Sequence, residues 1–101
     1  MPYSIVYFDD ARLDVREAKT WYKEKRDGLE KHFAEAIKTA ILKLQQNPLG
    51  YAIKYKNIRI AHPTTFPYGI HFYINDATQQ IVVVAVIHNK RHPDTATKRT
   101  I

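Results

Sequence analysis

Ile81-Val82-Val83-Val84-Ala85-Val86-Ile87 runs without a polar interruption into His88-Asn89-Lys90-Arg91-His92-Pro93. Seven apolar, mostly β-branched residues in a row are apolar on both faces, which predicts a central strand covered from both sides. Where that strand ends, two histidines, an arginine and a lysine follow within five residues. A rigid sheet would thus carry cationic and titratable groups to its rim, a place where RNA or another polyanion could be handled.

The preceding segments supply neighbours for this strand. Tyr68 to Ile74 alternates, with Tyr68, Ile70, Phe72 and Ile74 on one face and Gly69, His71 and Tyr73 on the other, so the first set is the expected core. The polar stretch Asn75 to Gln80 separates the two strands as a turn. Further upstream, Tyr51 to His62 contains one more strand, with Ile58 and Ile60 on one face and Arg59 on the other, followed by a Pro63-Thr64-Thr65 loop.

The first half reads as helix. Tyr3 to Phe8 is a short aromatic and β-branched strand, and Asp9-Asp10 ends it while offering N-cap oxygens. From Ala11 to Asp27 the apolar residues Ala11, Leu13, Ala18, Trp21 and Tyr22 fall near helical spacing, and Gly28 can adopt the left-handed conformation that closes a helix. Leu29, Phe33, Ile37, Ala40, Ile41 and Leu44 then recur every three or four residues up to Asn47-Pro48. Two helices separated by little more than Gly28 form an antiparallel hairpin whose apolar face needs a sheet to cover it. The predicted order is β-α-α-β-β-β, an α+β fold with the helical hairpin on one face of a mostly antiparallel sheet.

The chain has 101 residues and no cysteine, enough for one domain that buries roughly 60–65% of the extended chain's surface, and it offers neither disulfides nor thiolate metal sites. Without a secretion signal or a long apolar run, a soluble cytosolic protein with no membrane partner is expected. The formal charge is +6, and its distribution is uneven. Residues 1–50 carry nine Lys/Arg against eight Asp/Glu, whereas residues 51–101 carry seven against two. The basic excess sits in the sheet half and suggests an acidic partner.

Phosphodiester cleavage at an RNA 2'-hydroxyl needs a base, an acid and a fixed cation. His88, Arg91 and His92 supply these types, and histidine can take either proton-transfer role near neutrality. The plain alternative is a strand end followed by a solvated turn. His71, Tyr73 and Arg59, with Lys54 and Lys56, could form a basic, aromatic face on which a base stacks while phosphates are held; ordinary cross-strand pairs would look the same. Trp21, Tyr22 and Phe33 read as hairpin core. Asp14, Glu17, Glu24, Glu30 and Glu35 read as a solvated helix face with no chemistry. The five histidines show no metal-ligand spacing, and there is no phosphate-binding glycine loop, so no metal and no cofactor is expected.

Ala18-Lys19-Thr20-Trp21-Tyr22, Leu29, Phe33, Asn47-Pro48-Leu49-Gly50, Ile58-Arg59, Phe66-Pro67-Tyr68, Val84-Ala85-Val86 and His88-Asn89-Lys90-Arg91-His92-Pro93, in that order, resemble the RelE/ParE superfamily of toxins from type II toxin-antitoxin modules. The resemblance spans nearly the whole chain. It implies a small basic toxin that arrests bacterial growth and is held inactive by a cognate antitoxin. RelE-like members cut messenger RNA on the ribosome without metal, whereas ParE-like members poison DNA gyrase. Gly69 stands where RelE nucleases tend to carry arginine, and Asp94 to Ile101 contains no tyrosine. His88-x-x-Arg91-x-Pro93 followed by Arg99 is closer to the ParE-type ending, although the aromatic residue often found between those last two is replaced by Ala96 or Thr97. A gyrase poison is therefore the leading expectation, a ribosome-dependent nuclease using His88, Arg91 and His92 the alternative, and an inactive homologue that acts only by binding the third.

Overall fold

A computed structural model describes residues 3–91 and 94–99. His92 and Pro93, part of the predicted rim, lie outside the described residues. Strand β1 (Ser4–Tyr7) leads into helix α1 (Asp9–Lys25) and then α2 (Leu29–Gln46). A 3₁₀ turn, Pro48–Gly50, precedes strands β2 (Ile53–Tyr55), β3 (Ile58–Ala61), β4 (Tyr68–Asn75) and β5 (Gln80–His88), and a single-turn helix α3 (Asp94–Thr97) follows. The five strands form one sheet in the order β1-β5-β4-β3-β2. Among the described residues, only β1 and β5 run parallel and the other pairings are antiparallel. Among the described residues no helix is long and apolar enough to cross a membrane.

The predicted architecture holds, with three corrections. Tyr51 to His62 is a hairpin of two short strands rather than one, turning at Lys56-Asn57 with Lys56 at φ 48°. That is a left-handed position where glycine is favoured, so the turn carries no glycine signal. Asp9 and Asp10 do not cap α1: Phe8 is the N-cap, and the two carboxylates occupy the first turn, where they favour the helix dipole. The buried stripe of α1 is Ala11, Asp14, Ala18 and Tyr22, whereas Leu13 and Trp21 are exposed. Gly28 does sit at φ 92°, as the tight link between helices requires.

The helix-facing core joins α1 and α2 to β4 and β5. Phe33 is fully buried, with its ring 5.2 Å from Tyr22, 5.2 Å from Phe66 and 5.0 Å from Tyr68, and Ile37, Leu44, Ile70, Phe72 and Val83 complete the layer. A bulge shapes the central pair. His71 opposes Ala85 and Phe72 opposes Val83, so Val84 is the extra residue on β5. Val83 and Val86 therefore meet the helices, while Val84, Ala85 and Ile87 join Ile58 and Ala96 of α3 in a second cluster on the outer face. This explains why β5 is apolar on both sides: each face of the sheet is covered.

Truncating Phe33 to alanine is expected to cost about 3–5 kcal/mol, a large part of the ~5–15 kcal/mol that holds such a domain together. Trp21→Ala, removing a half-exposed ring, should cost less than about 1.5 kcal/mol. Urea unfolding of both variants checks the contrast, and equal losses would contradict the packing described.

Candidate functional site at the end of the central strand

Strand β5 has two neighbours for only half its length. β1 pairs with it from Gln80 to Val83, the Phe8 amide donates to the Val83 carbonyl at 2.9 Å, and the chain then turns away into α1. From Val84 onward the edge that faced β1 is open, and its polar backbone groups need partners. Asp14 and Arg99 supply them. Asp14 Oδ2 accepts the buried Val86 amide at 3.0 Å, and Arg99 Nη1 donates to the Val84 carbonyl at 3.1 Å. The two side chains are joined by a double hydrogen bond, Nη1 to Oδ2 at 2.5 Å and Nη2 to Oδ1 at 2.9 Å. Asp14 is buried, so reading it as part of a solvated helix face was wrong. Its hydrogen bond to Arg99 is the main reason the guanidinium pKa rises above an already high value, against the opposing effect of burial.

Beyond this seal, β5 delivers His88 to the rim. Tyr68 pairs with His88 across the ladder, the Asn89 amide donates to the Pro67 carbonyl at 2.8 Å, and the Arg91 amide donates to the His88 carbonyl at 2.9 Å. His88 Nδ1 accepts the Lys90 amide at 3.0 Å, which places the proton of the neutral ring on Nε2. Its ring meets Tyr68 at 5.4 Å, near perpendicular. His88, Arg91, Tyr68, Glu17 and Trp21 line a cleft of about 520 Å³ between α1 and the β4–β5 end, with Asp14 also in its lining. Burial raises the pKa of both Tyr68 and Tyr22, so the phenols there stay protonated. Lys25 Nζ stands 4.7 Å from the Trp21 ring centre at the same helix end.

The other predicted residues lie elsewhere. His71 is 6% exposed, and its Nδ1 shares a 2.8 Å hydrogen bond with the Tyr55 hydroxyl. Burial, helped by His62 and Arg99, lowers its pKa to about 4. An outer face that presents His71 to a partner is thus corrected: the second apolar cluster and α3 cover that face, and Tyr73 packs against the same cluster. Arg59 does not join them. It pairs with Phe72 and so lies on the helix-facing side, where Nη1 donates to the Tyr51 carbonyl at 2.5 Å. Lys54 and Lys56 are exposed on the far edge hairpin. From the register, Lys54 sits roughly 15 Å along the strands from His88 and about 14 Å across three strand spacings, and Lys56, in the turn, lies further along. The predicted cations therefore divide between two corners of the sheet. Among the described residues no group of three His, Asp or Glu converges as a metal site.

Sequence reasoning missed the roles of Asp14 and Tyr55, and met Arg99 only as part of the ParE-type ending. The available signal was positional: Asp14 interrupts the spacing Ala11, Ala18, Tyr22 at a place where an apolar residue belongs.

Comparison with known proteins agrees with this geometry. The family model described as "ParE toxin of type II toxin-antitoxin system, parDE" matches residues 5–93, so the chain belongs to the ParE toxin family of type II toxin-antitoxin systems. A structure of the chromosomal ParDE system from P. aeruginosa superposes with a TM-score of 0.73 at 14% identity, covering 85% of this chain and 95% of that one. The RelBE2 toxin-antitoxin complex from Mycobacterium tuberculosis gives a TM-score of 0.64 at 18% identity, covering 87% and 99% respectively. At these identities the two structures support the fold alone. No curated protein sequence matches the chain.

The buried, neutral His71 makes stability depend on pH. Its pKa falls from about 6.5 in the unfolded chain to about 4 in the fold, so the unfolded chain takes up a proton first as pH drops. The contribution is complete above about 6.5 and is lost as the pH falls toward about 4. A His71→Gln variant should show a flatter stability profile across that window than the parent chain. Parallel urea-midpoint profiles for the two would show that His71 titrates normally.

Proposed function

We propose that this chain is the growth-arresting toxin of a toxin-antitoxin pair, that a cognate antitoxin holds it inactive, and that its target is DNA gyrase. The observation that carries the choice of target is the separation of the cations. A ribonuclease whose Lys54 and Lys56 offset charge at the same phosphate where His88 transfers protons needs those groups around one phosphate, and they stand at opposite corners of the sheet, while Arg59 faces the helices and donates to the Tyr51 carbonyl. Gly69 adds to this. A Cβ there would lie 3.0 Å from Ile60 Cγ2 and 3.3 Å from His71 Nε2, so the position at which RelE nucleases tend to carry arginine is closed by packed side chains. The family match, to ParE toxins, points the same way.

One observation favours the ribosome-dependent nuclease as a second reading: Tyr68, His88 and Arg91 share one cleft. With Nδ1 already accepting the Lys90 amide, His88 in this arrangement offers a proton from Nε2 and has no free lone pair to act as base. Among the described residues, the rim so arranged offers an acid at His88 and suits a contact surface better than a proton relay.

Purified chain should inhibit supercoiling by gyrase and leave a message intact in a reconstituted bacterial translation system. Arg91→Ala, which removes the exposed cation at the mouth of the cleft, should weaken inhibition by about tenfold, the scale of one charge-assisted contact. New cuts at the codon in the ribosomal A site, with supercoiling unaffected, would replace this reading with the nuclease; no effect in either assay and no growth arrest on induction would leave the inactive homologue.

A further inference from the structure

We propose that Asp14 is a positioning residue for the His88–Arg91 rim, acting through the open edge of β5 and through Arg99. The functional half of this inference rests on the toxin reading above; the structural half does not.

Beyond Val83, β5 is held on one side only, by β4. An unpaired strand edge is freer to twist, and a change of twist there would move the side chains that follow. Asp14 and Arg99 together act as a short substitute strand, one accepting from Val86 and the other donating to Val84. Val86 lies two residues before His88, and the turn that carries Lys90 and Arg91 is bonded to His88 through its carbonyl and its Nδ1. The path from Asp14 to the rim is therefore one hydrogen bond and two residues of strand.

The choice of residue supports a purpose beyond packing. In the stripe Ala11, Ala18, Tyr22 an apolar side chain would avoid the desolvation cost of a buried carboxylate, and replacing a buried ion pair by well-packed apolar groups is often neutral or stabilising. What an apolar residue could not do is accept the Val86 amide and fix the guanidinium that reaches Val84. Asp14 also lines the cleft that His88 and Arg91 share, so α1 brings this buried carboxylate to the rim.

The test compares the full chain with Asp14→Asn, which keeps size and one acceptor oxygen but loses the charge, and with Arg99→Lys, which keeps the charge but loses the paired geometry. Two-dimensional ¹⁵N NMR should show amide shifts concentrated between Val86 and Arg91, with the His88 Nδ1 resonance moving away from its hydrogen-bonded value. In cells, each variant should need at least tenfold more expression to arrest growth. An Ile37 variant, →Val or →Ala, chosen to match the melting temperature of Asp14→Asn, should lose far less. Unchanged His88 and Arg91 resonances would overturn the proposal, as would a loss of toxicity no greater than that of the matched control. If Asp14→Asn does not fold, Arg99→Lys carries both readouts. A parent chain that fails to arrest growth would sink the toxin reading, and the NMR comparison would still decide whether Asp14 positions the rim.

Discussion

One carboxylate, Asp14, joins three parts of the chain that are remote in sequence: helix α1, the unpaired half of β5, and Arg99 near the C-terminus. The need for it follows from topology. A parallel β1–β5 pair requires the chain to leave the sheet and cross over, and here it leaves after four residues while β5 continues for five more. Something has to satisfy the backbone that β1 abandons, because Val86 there is buried. A buried ion pair contributes little net stability, but removing one member strands a charge at a cost of roughly 3–5 kcal/mol. The pair is therefore costly to break, and Asp14 is part of the cleft lining.

The second organising feature is the bulge at Val84. By shifting the alternation of β5 it gives the outer face a continuous apolar cluster of its own, which Ala96 of α3 helps to cover. The C-terminal segment is thus part of the fold: Arg99 closes one edge of the strand and Ala96 covers the face. His71 is neutral for the same reason. It lies under this cover beside Tyr55, within the influence of the Arg99 charge, where protonation is disfavoured.

Much of the architecture was legible in the sequence because its signals are local. The spacing of Leu29, Phe33, Ile37, Ala40 and Leu44 marks α2, and the apolar run Ile81 to Ile87 marks a strand covered on both faces. The β2–β3 hairpin was not legible, since Lys56 adopts a left-handed conformation that the sequence does not advertise with glycine. The outer face was misjudged because alternation tells which residues share a face and says nothing about what covers it. That left His71 looking available when α3, from the far end of the chain, helps to bury its surroundings. Arg59 was placed on the wrong face because pairing with Phe72 sets its side, and register across a sheet depends on turns and bulges elsewhere. The Asp14–Arg99 pair spans 85 residues, a separation at which no periodicity operates. Membership of a toxin family was legible as an ordered set of short resemblances. The residues that hold the rim were not, because they act through backbone groups.

The account stands on the claim that side chains replace the missing strand beside β5. Native-state hydrogen exchange at the Val86 amide tests it most directly. Protection comparable to that of the ladder amides of Ile70 and Phe72, despite the absence of a neighbouring strand on that edge, is the predicted result. Exchange at the rate of an unprotected, solvent-exposed amide would contradict it, and with it the view that Asp14 and Arg99 organise the end of the central strand.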